Sequence, residues 1–342
     1  MAKAVKMADI AKVMGVSTVT VSKALSDQKG VSEELRAKIK KQAEEMGYKS
    51  ASVIYQERTK PNASYNIGVI VSDRFLDKYD TFYWKLYQEV ATAAVHKGCF
   101  TMLEVLQAQD EEICVMPKLV QERKADGLVI IGLLRREYLE KLTEQAKVPV
   151  IFLDFYDKTG ECDAVVSNSY FGMYVMTNYL FDMGHRDIAF VGNVLVTESI
   201  TDRYFGYMKA MYEHGIEVNP DWIIRDRDPE TGRSDQGFEM KLPDRMPTAF
   251  VCNNDVAAAM LVCRLEQEGY RVPQDISVVG YDNYQPPGLC DVRITTYEVD
   301  MQEMARRTIK KMIRKLSGET YKQSVTIVNG KIVYKESVAH HV

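Results

Sequence analysis

From residue 65 onward, apolar runs of strand length alternate with longer amphipathic stretches, and this rhythm restricts the fold more than any other feature of the chain. The strand candidates are IGVIV at 67–71, FTMLEV at 100–105, GLVII at 127–131, VPVIFLD at 148–154, AVVS at 164–167, IAFVG at 188–192, AFVCN at 249–253 and ISVVGYD at 276–282. Helical stretches such as TFYWKLYQEVATAAVHKG and YFGMYVMTNYLFDMG lie between them. Continuous Val and Ile runs joined through helices imply parallel strands buried on both faces, hence an α/β fold. Roughly 270 residues of this pattern exceed one doubly wound unit, so two lobes of mostly parallel sheet are expected. Ligands in such sheets sit beyond the carboxyl ends of the strands. That rule singles out Ser72, Asp73, Asp154, Asn253, Asn254, Asp255, Asp282 and Asn283.

The amino-terminal end is different. Residues 5–25, VKMADIAKVMGVSTVTVSKAL, place Met7, Ile10 and Val13 on one face of a first helix and a small Ala11 where a second helix crosses. Gly15 supplies a turn, Ser17 is a natural N-cap, and Val21 with Leu25 forms an inward i, i+4 pair. Thr18, Val19, Ser22 and Lys23 then face outward, which is the layout of a helix-turn-helix whose second helix enters the major groove. Leu35, Ile39, Ala43 and Met46 recur at helical spacing and complete a small core, with Gly47 as C-cap. The boundaries read as a helical DNA-binding head at 1–49, a linker at 50–64 and a two-lobed effector-binding and dimerisation domain at 65–342.

Charge follows the same division. Residues 1–60 hold 12 Lys and Arg against 7 Asp and Glu, while the whole chain is −4. A basic head on an acidic body suits contact with phosphates through one small module. The composition, 46% hydrophobic and 27% charged, is that of a globular protein. No stretch approaches the apolar length that spans a bilayer and no export signal precedes the head, so a cytoplasmic protein without membrane contact is expected. The six cysteines have no C-x-x-C spacing and fit a reducing compartment better than a metal site. The sequence contains no G-x-S-x-G, phosphate-loop or H-E-x-x-H motif, and neither catalysis nor a cofactor is expected. DRDPETG at 226–232 begins like a calcium loop, but Gly237 stands where the closing glutamate belongs, so a surface turn is expected. His185 reads as a structural hydrogen-bonding residue, His340 and His341 as a polar tail. Asn329-Gly330 between VTIV and KIVY signals a two-residue hairpin.

Seven runs in one order, VKMADIAKVMGVSTVTVSKAL, IGVIVSD, MGHRDIAFVG, DRYFGYMKAMYEHGI, PTAFVCNNDVAA, VPQDISVVGYDN and IVYKES, resemble the lactose-repressor family of bacterial transcription regulators across nearly the whole chain. The resemblance implies a homodimer whose heads grip a pseudo-palindromic operator. It also implies a periplasmic-binding-protein-like body that closes on a small effector, often a sugar and sometimes a purine. Thr18, Val19 and Lys23 match base-reading positions, flanked by Ser17 and Ser22. Lys23 is suited to guanine, and Thr18 or Val19 to a thymine methyl. In the body, Arg203, Asn254 and Asp282 match cleft positions, and Asp154 joins them from its strand end. Phe82, Tyr83 and Trp84 fall where the family carries a ligand-stacking aromatic; one or two face the cleft and the remainder belongs to the core.

One stretch departs from the family. Ser50 and Ala51 stand where Pro-Asn begins the hinge helix, Ile54 replaces its alanine, and Glu57 lies near its groove-inserting leucine. A glutamate is repelled by the minor groove, so the wedge is either missing or supplied by Ile54 in a shifted register. No heptad repeat follows Ser337, so a dimer is expected and not a tetramer. The function implied is a ligand-controlled repressor of carbohydrate-metabolism genes. The alternative is a sugar-binding protein of a transport system, against which the basic head argues.

Overall fold

The computed structural model describes residues 6–25, 30–46, 48, 64–76, 81–228 and 238–341. The Gly47 cap, nearly all of the 50–64 linker and most of the calcium-like run lie outside the described residues. Two compact units divide the chain, Met1–Ala63 and Ser64–Val342.

In the first unit, α1 (Met7–Met14), α2 (Thr18–Leu25) and α3 (Glu33–Glu45) enclose Ile10, Ala11, Val21, Ala24, Ile39 and Ala43. Gly15 ends α1 at φ +65°, a left-handed conformation that a Cβ would strain. The Ser17 hydroxyl accepts from Thr20 N at 3.1 Å and so caps α2. Arg36 on α3 donates to the Lys23 and Val31 carbonyls at 3.5 and 3.4 Å, tying the third helix to the end of the second. Val13 corrects the sequence reading. It is 59% exposed, and Met14 packs against the core in its place, because the crossing helices cover the Ile10–Ala11–Met14 side of α1.

The second unit contains two six-stranded sheets, as the run-and-helix pattern implies. The first joins β1 (Asn66–Ser72), β2 (Phe100–Leu106), β3 (Gly127–Ile131), β4 (Val150–Leu153), β5 (Asp163–Ser167) and β11 (Val325–Val328) in the order β11-β5-β4-β3-β1-β2. All of its pairings are parallel. The second joins β6 (Ile188–Val191), β7 (Ile223–Ile224), β8 (Ala249–Cys252), β9 (Ser277–Asp282), β10 (Thr295–Glu298) and β12 (Lys331–Val333) in the order β12-β10-β9-β8-β6-β7. Here β12 alone runs antiparallel, against β10. The two orders are the same when each strand is counted within its own lobe. Strands such as β3 and β8 are buried along their whole length, which is why they read as unbroken runs without a polar residue.

The helices that position the site are α4 (Phe82–Val95), α8 (Ser169–Asp182), α9 (Glu198–Glu213), α10 (Asp255–Gln267) and α11 (Met301–Leu316). Shorter helices are α5 (Ala108–Glu112), α6 (Lys118–Gln121) and α7 (Arg136–Ala146). The chain passes between lobes after Ser167, after Val299 and after Val328, since α11 packs on β4 and β5 of the first lobe. Asp163, fully buried, clamps α11 there by accepting from Lys311 Nζ at 2.9 Å and Tyr321 Oη at 2.7 Å.

Two further readings are corrected. Asn329-Gly330 makes no hairpin: β11 pairs with β5 in one sheet and β12 with β10 in the other, so the dipeptide is the third interlobe crossing. Gly330 is required by proximity, because a Cβ would stand 1.9 Å from the Glu298 carbonyl oxygen. The histidine tail is part of the second lobe. His341 donates its N–H to the Met183 carbonyl at 2.8 Å and stacks on His185 at 5.2 Å between ring centres. His185 is buried and structural, bonded to Thr248, Ser277 and the Ala339 carbonyl. Burial lowers its pKa to about 4, against a weaker upward pull from the Ala339 carbonyl.

Candidate functional site

Within the body, two aspartates stand at equivalent places. Asp154 follows β4 and Asp282 ends β9, the fourth strand of each lobe in chain order. Both have left-handed backbones, φ +69° and +100°, conformations that aspartate tolerates better than most residues. Each is held by the helix that follows its lobe's first strand. On α4, Tyr83 Oη donates to Asp154 Oδ2 at 3.0 Å. On α9, Arg203 Nη2 reaches Asp282 Oδ1 at 3.2 Å.

Arg203 is 5% exposed and almost fully engaged. Its Nη1 donates to the Asn253 carbonyl at 2.6 Å, its guanidinium lies 3.8 Å from the Tyr281 ring centre, and its buried Nε has no partner. Burial pushes the Asp154 carboxyl up to about 7, with Arg203 opposing and Asp282 adding to the rise. Burial raises Asp282 as well, and Arg203 opposes it. These couplings link groups from both lobes, so the two aspartates and the arginine form one electrostatic set.

The remaining expected cleft residues are placed as follows. Phe82 packs edge-on against Tyr83 at 5.3 Å, and Trp84 leans on Tyr87 at 5.5 Å along the same helix. Of the three aromatics, Tyr83 is the one that bonds a cleft carboxylate. Asn254 caps α10: its Oδ1 accepts from Ala257 N at 2.7 Å and its Nδ2 donates to Asn253 Oδ1 at 3.0 Å. Its neighbour Asn253 is fully buried and donates to the Val191 carbonyl and to Asp226 Oδ2. Asp226 is a scaffold residue in turn. Burial would raise its pKa, and Arg227 with the Asn253 and Asn193 bonds holds it low. Among the described residues no acidic, histidine and cysteine cluster could hold a metal ion.

Several residues at the join between the lobes escaped the sequence reading. Tyr156 of the first lobe donates to Asp202 of the second at 3.3 Å, and Ser167 and Tyr281 share a hydrogen bond at 3.0 Å across the first crossing. A concavity of about 470 Å³ opens beside that crossing, with Tyr156, Asp202, Phe205 and Ile327 in its wall. Glu198, the first residue of α9, has a buried Oε2 without a partner. The signal for Glu198 and Asp202 lay in their i, i+4 spacing, which puts both carboxyl groups on one face of α9.

In the head, Ser17, Thr18, Val19, Ser22 and Lys23 are all exposed, and Val19 is 62% accessible although apolar. An exposed valine beside hydroxyls and a lysine, on a capped helix, presents hydrogen-bonding and methyl-contacting groups together. Its partner in the core, Val21, is fully buried.

A helix-turn-helix head on a two-lobed parallel α/β body defines a ligand-binding DNA regulator. Residues 6–50 match the model of bacterial regulatory proteins of the lacI family, and residues 177–338 match that of the periplasmic binding protein-like domain. The HTH-type transcriptional repressor PurR of Pasteurella multocida is 27% identical over 332 residues, covering 96% of this chain and 97% of the relative. PurR of Vibrio campbellii is 28% identical over 338 residues, with 96% and 97% covered. Among solved structures, a complex of the transcriptional regulator CelR with cellobiose has a TM-score of 0.67 at 20% identity, covering 97% of this chain and 99% of that one. The lac repressor dimer bound to operator and the anti-inducer ONPF has a TM-score of 0.65 at 22% identity, covering 98% and 100%. A ribose-bound LacI family regulator from Enterococcus faecium has a TM-score of 0.63 at 20% identity, covering 81% and 100%. Residues 6–50 thus carry a DNA-binding domain of the lacI type, and residues 177–338 a periplasmic binding protein-like domain. The protein is a DNA-binding transcriptional regulator with an effector-binding body, not an enzyme and not a bare solute-binding protein.

Proposed function

We propose that the protein is a cytoplasmic repressor of carbohydrate-metabolism genes that binds a pseudo-palindromic operator as a homodimer and is controlled by a sugar held between its lobes. The observation that carries this reading is the exposure of Thr18, Val19, Ser22 and Lys23 on a capped second helix, in the same chain as the buried Arg203–Asp282 pair. In this reading residues 1–49 are the reading head, 50–64 the linker and 65–342 the body. Ser17 caps the recognition helix near a phosphate, Lys23 donates to guanine, and Thr18 or Val19 meets a thymine methyl. Arg203, Asp282, Asp154 and Tyr83 bind hydroxyls, with Phe82 and Trp84 as candidate stacking rings and Asn254 acting through its hold on Asn253.

The sugar assignment draws support from the cellobiose and ribose complexes of the fold neighbours CelR and the Enterococcus faecium regulator. The dimer draws support from an apolar edge on the first lobe. Val95, Phe100 and Ile113, at the end of α4, on edge strand β2 and after α5, are each about two-thirds exposed.

Selection of binding sites from random duplexes tests the reading. A pseudo-palindrome is the expected product, and Lys23→Ala should weaken binding to it by roughly 1 to 3 kcal/mol while relaxing one base position. An equal loss on every sequence would make Lys23 a phosphate contact instead. Absence of any enriched site would contradict the reading.

A further inference from the structure

The charges around the cleft are unequal. Asp154, Asp282, Asp202 and Glu198 supply four carboxyl groups, and the cation acting on Asp154, Asp282 and Asp202 is Arg203. That guanidinium is already matched by Asp282 at 3.2 Å, by the Asn253 carbonyl and by the Tyr281 ring. Only its buried Nε is left without a partner, so most of its charge is matched before a ligand arrives. The carboxyl groups, by contrast, retain acceptor capacity. Asp154 takes a single hydrogen bond, from Tyr83, and the buried Glu198 Oε2 takes none. Glu198 also lies close enough to Asp202 and to Asp157 of the first lobe for both to raise its pKa further, after burial itself.

We infer that the effector is an uncharged, hydroxyl-rich molecule, and that the cleft rejects phosphorylated and carboxylated forms of the same sugar. The inference rests on the proposed sugar control and narrows it. Sugar hydroxyls are donors, and they match the surplus of acceptors on Asp154, Asp282 and Glu198. A phosphate ester or uronate would bring negative charge into a weakly screened interior whose nearest cation is already paired, and each neighbouring carboxyl group would either repel it or have to hold a proton to admit it. It would also have to displace Asp282 from Arg203 to gain a cation, leaving a buried carboxylate without its partner. An amino sugar carries the opposite charge and meets no such barrier.

The test uses the full chain and matched sets of ligands: glucose, glucose 6-phosphate, glucuronate and glucosamine, the galactose counterparts, ribose with ribose 5-phosphate, and cellobiose. Melting temperatures identify binders by mass action, and isothermal titration ranks them. A neutral sugar should bind, and its phosphate and uronate should bind at least about tenfold more weakly. Glu198→Gln and, separately, Asp202→Asn should narrow that gap, and two variants guard against one that fails to fold. A phosphate or uronate that binds as tightly as its neutral parent overturns the inference and leaves the sugar reading standing. If no sugar of any charge shifts the melting temperature, the sugar reading itself fails and the inference with it.

Discussion

The two lobes share one strand order and place an aspartate at the same point, yet they hold it differently. In the first lobe Asp154 faces a tyrosine hydroxyl, and in the second Asp282 faces an arginine. Burial pushes Asp154 up to about 7 because the charge of Arg203 and the Tyr83 hydroxyl offset it only in part, whereas at Asp282 the same guanidinium opposes burial by charge and by a direct hydrogen bond. The second lobe therefore presents a completed ion pair, and the first an aspartate that changes charge near neutral pH. Topology fixes where functional groups stand, and the residue on the adjoining helix fixes what they do.

The largest effect is expected where the second lobe's pair is broken. Arg203→Ala leaves Asp282 buried and uncompensated, which should cost about 3 to 5 kcal/mol in stability and abolish the effector response. DNA binding without effector should survive, because Arg203 lies in the body. Denaturant unfolding and operator titration measure the two halves, and loss of DNA binding in a folded variant would separate Arg203 from the effector role.

The next effect sharpens the contrast through pH. In the folded body Asp154 keeps its proton to about 7, and in the unfolded chain only to the ordinary value of 3.8. Folding takes up a proton between those limits, so Asp154 lowers stability as the pH rises through that window, by at most about 1.4 kcal/mol per pH unit. Asp154→Asn removes this penalty and can still accept from Tyr83. Its gain in melting temperature over the parent should be smaller at pH 5 than near pH 8, where it is largest. Asp255, which burial also raises to about 7, is present in both proteins and cancels from the difference. A gain that does not vary with pH would contradict the assignment.

The smallest effect concerns the join between lobes. Tyr281→Phe keeps the ring under Arg203 but removes the bond to Ser167, and it should cost about 1 kcal/mol by denaturant unfolding. No loss at all would mean that the bond does not help hold the lobes together.

The sequence made the repeating architecture legible because buried parallel strands have to be continuously apolar, and all eight apolar runs became strands. β10 was hidden for the opposite reason. Thr295 and Thr296 are polar, and Thr295 N is satisfied inside the sheet by the Ser337 hydroxyl at 2.8 Å. The Asn329-Gly330 signal misled because local turn chemistry carries no record of which sheet each flanking strand joins. At the site, Asp282 and Asp154 were readable as polar residues at strand ends, and Arg203 through the family resemblance of DRYFGY. The hold of Tyr83 on Asp154 and of Tyr156 on Asp202 was not, because each bond joins elements far apart in the chain. Asn254 shows the converse: a strand-end asparagine is equally a helix N-cap, and only the fold decides between them.

The central claim is that occupancy of the cleft and occupancy of the DNA are coupled. The most direct test measures operator affinity of the full chain with and without a saturating neutral sugar taken from the ligand series, and sugar affinity with and without operator. Coupling requires both ratios to differ from one and to be equal, as linkage demands. A sugar that binds tightly while operator affinity stays unchanged would contradict the account.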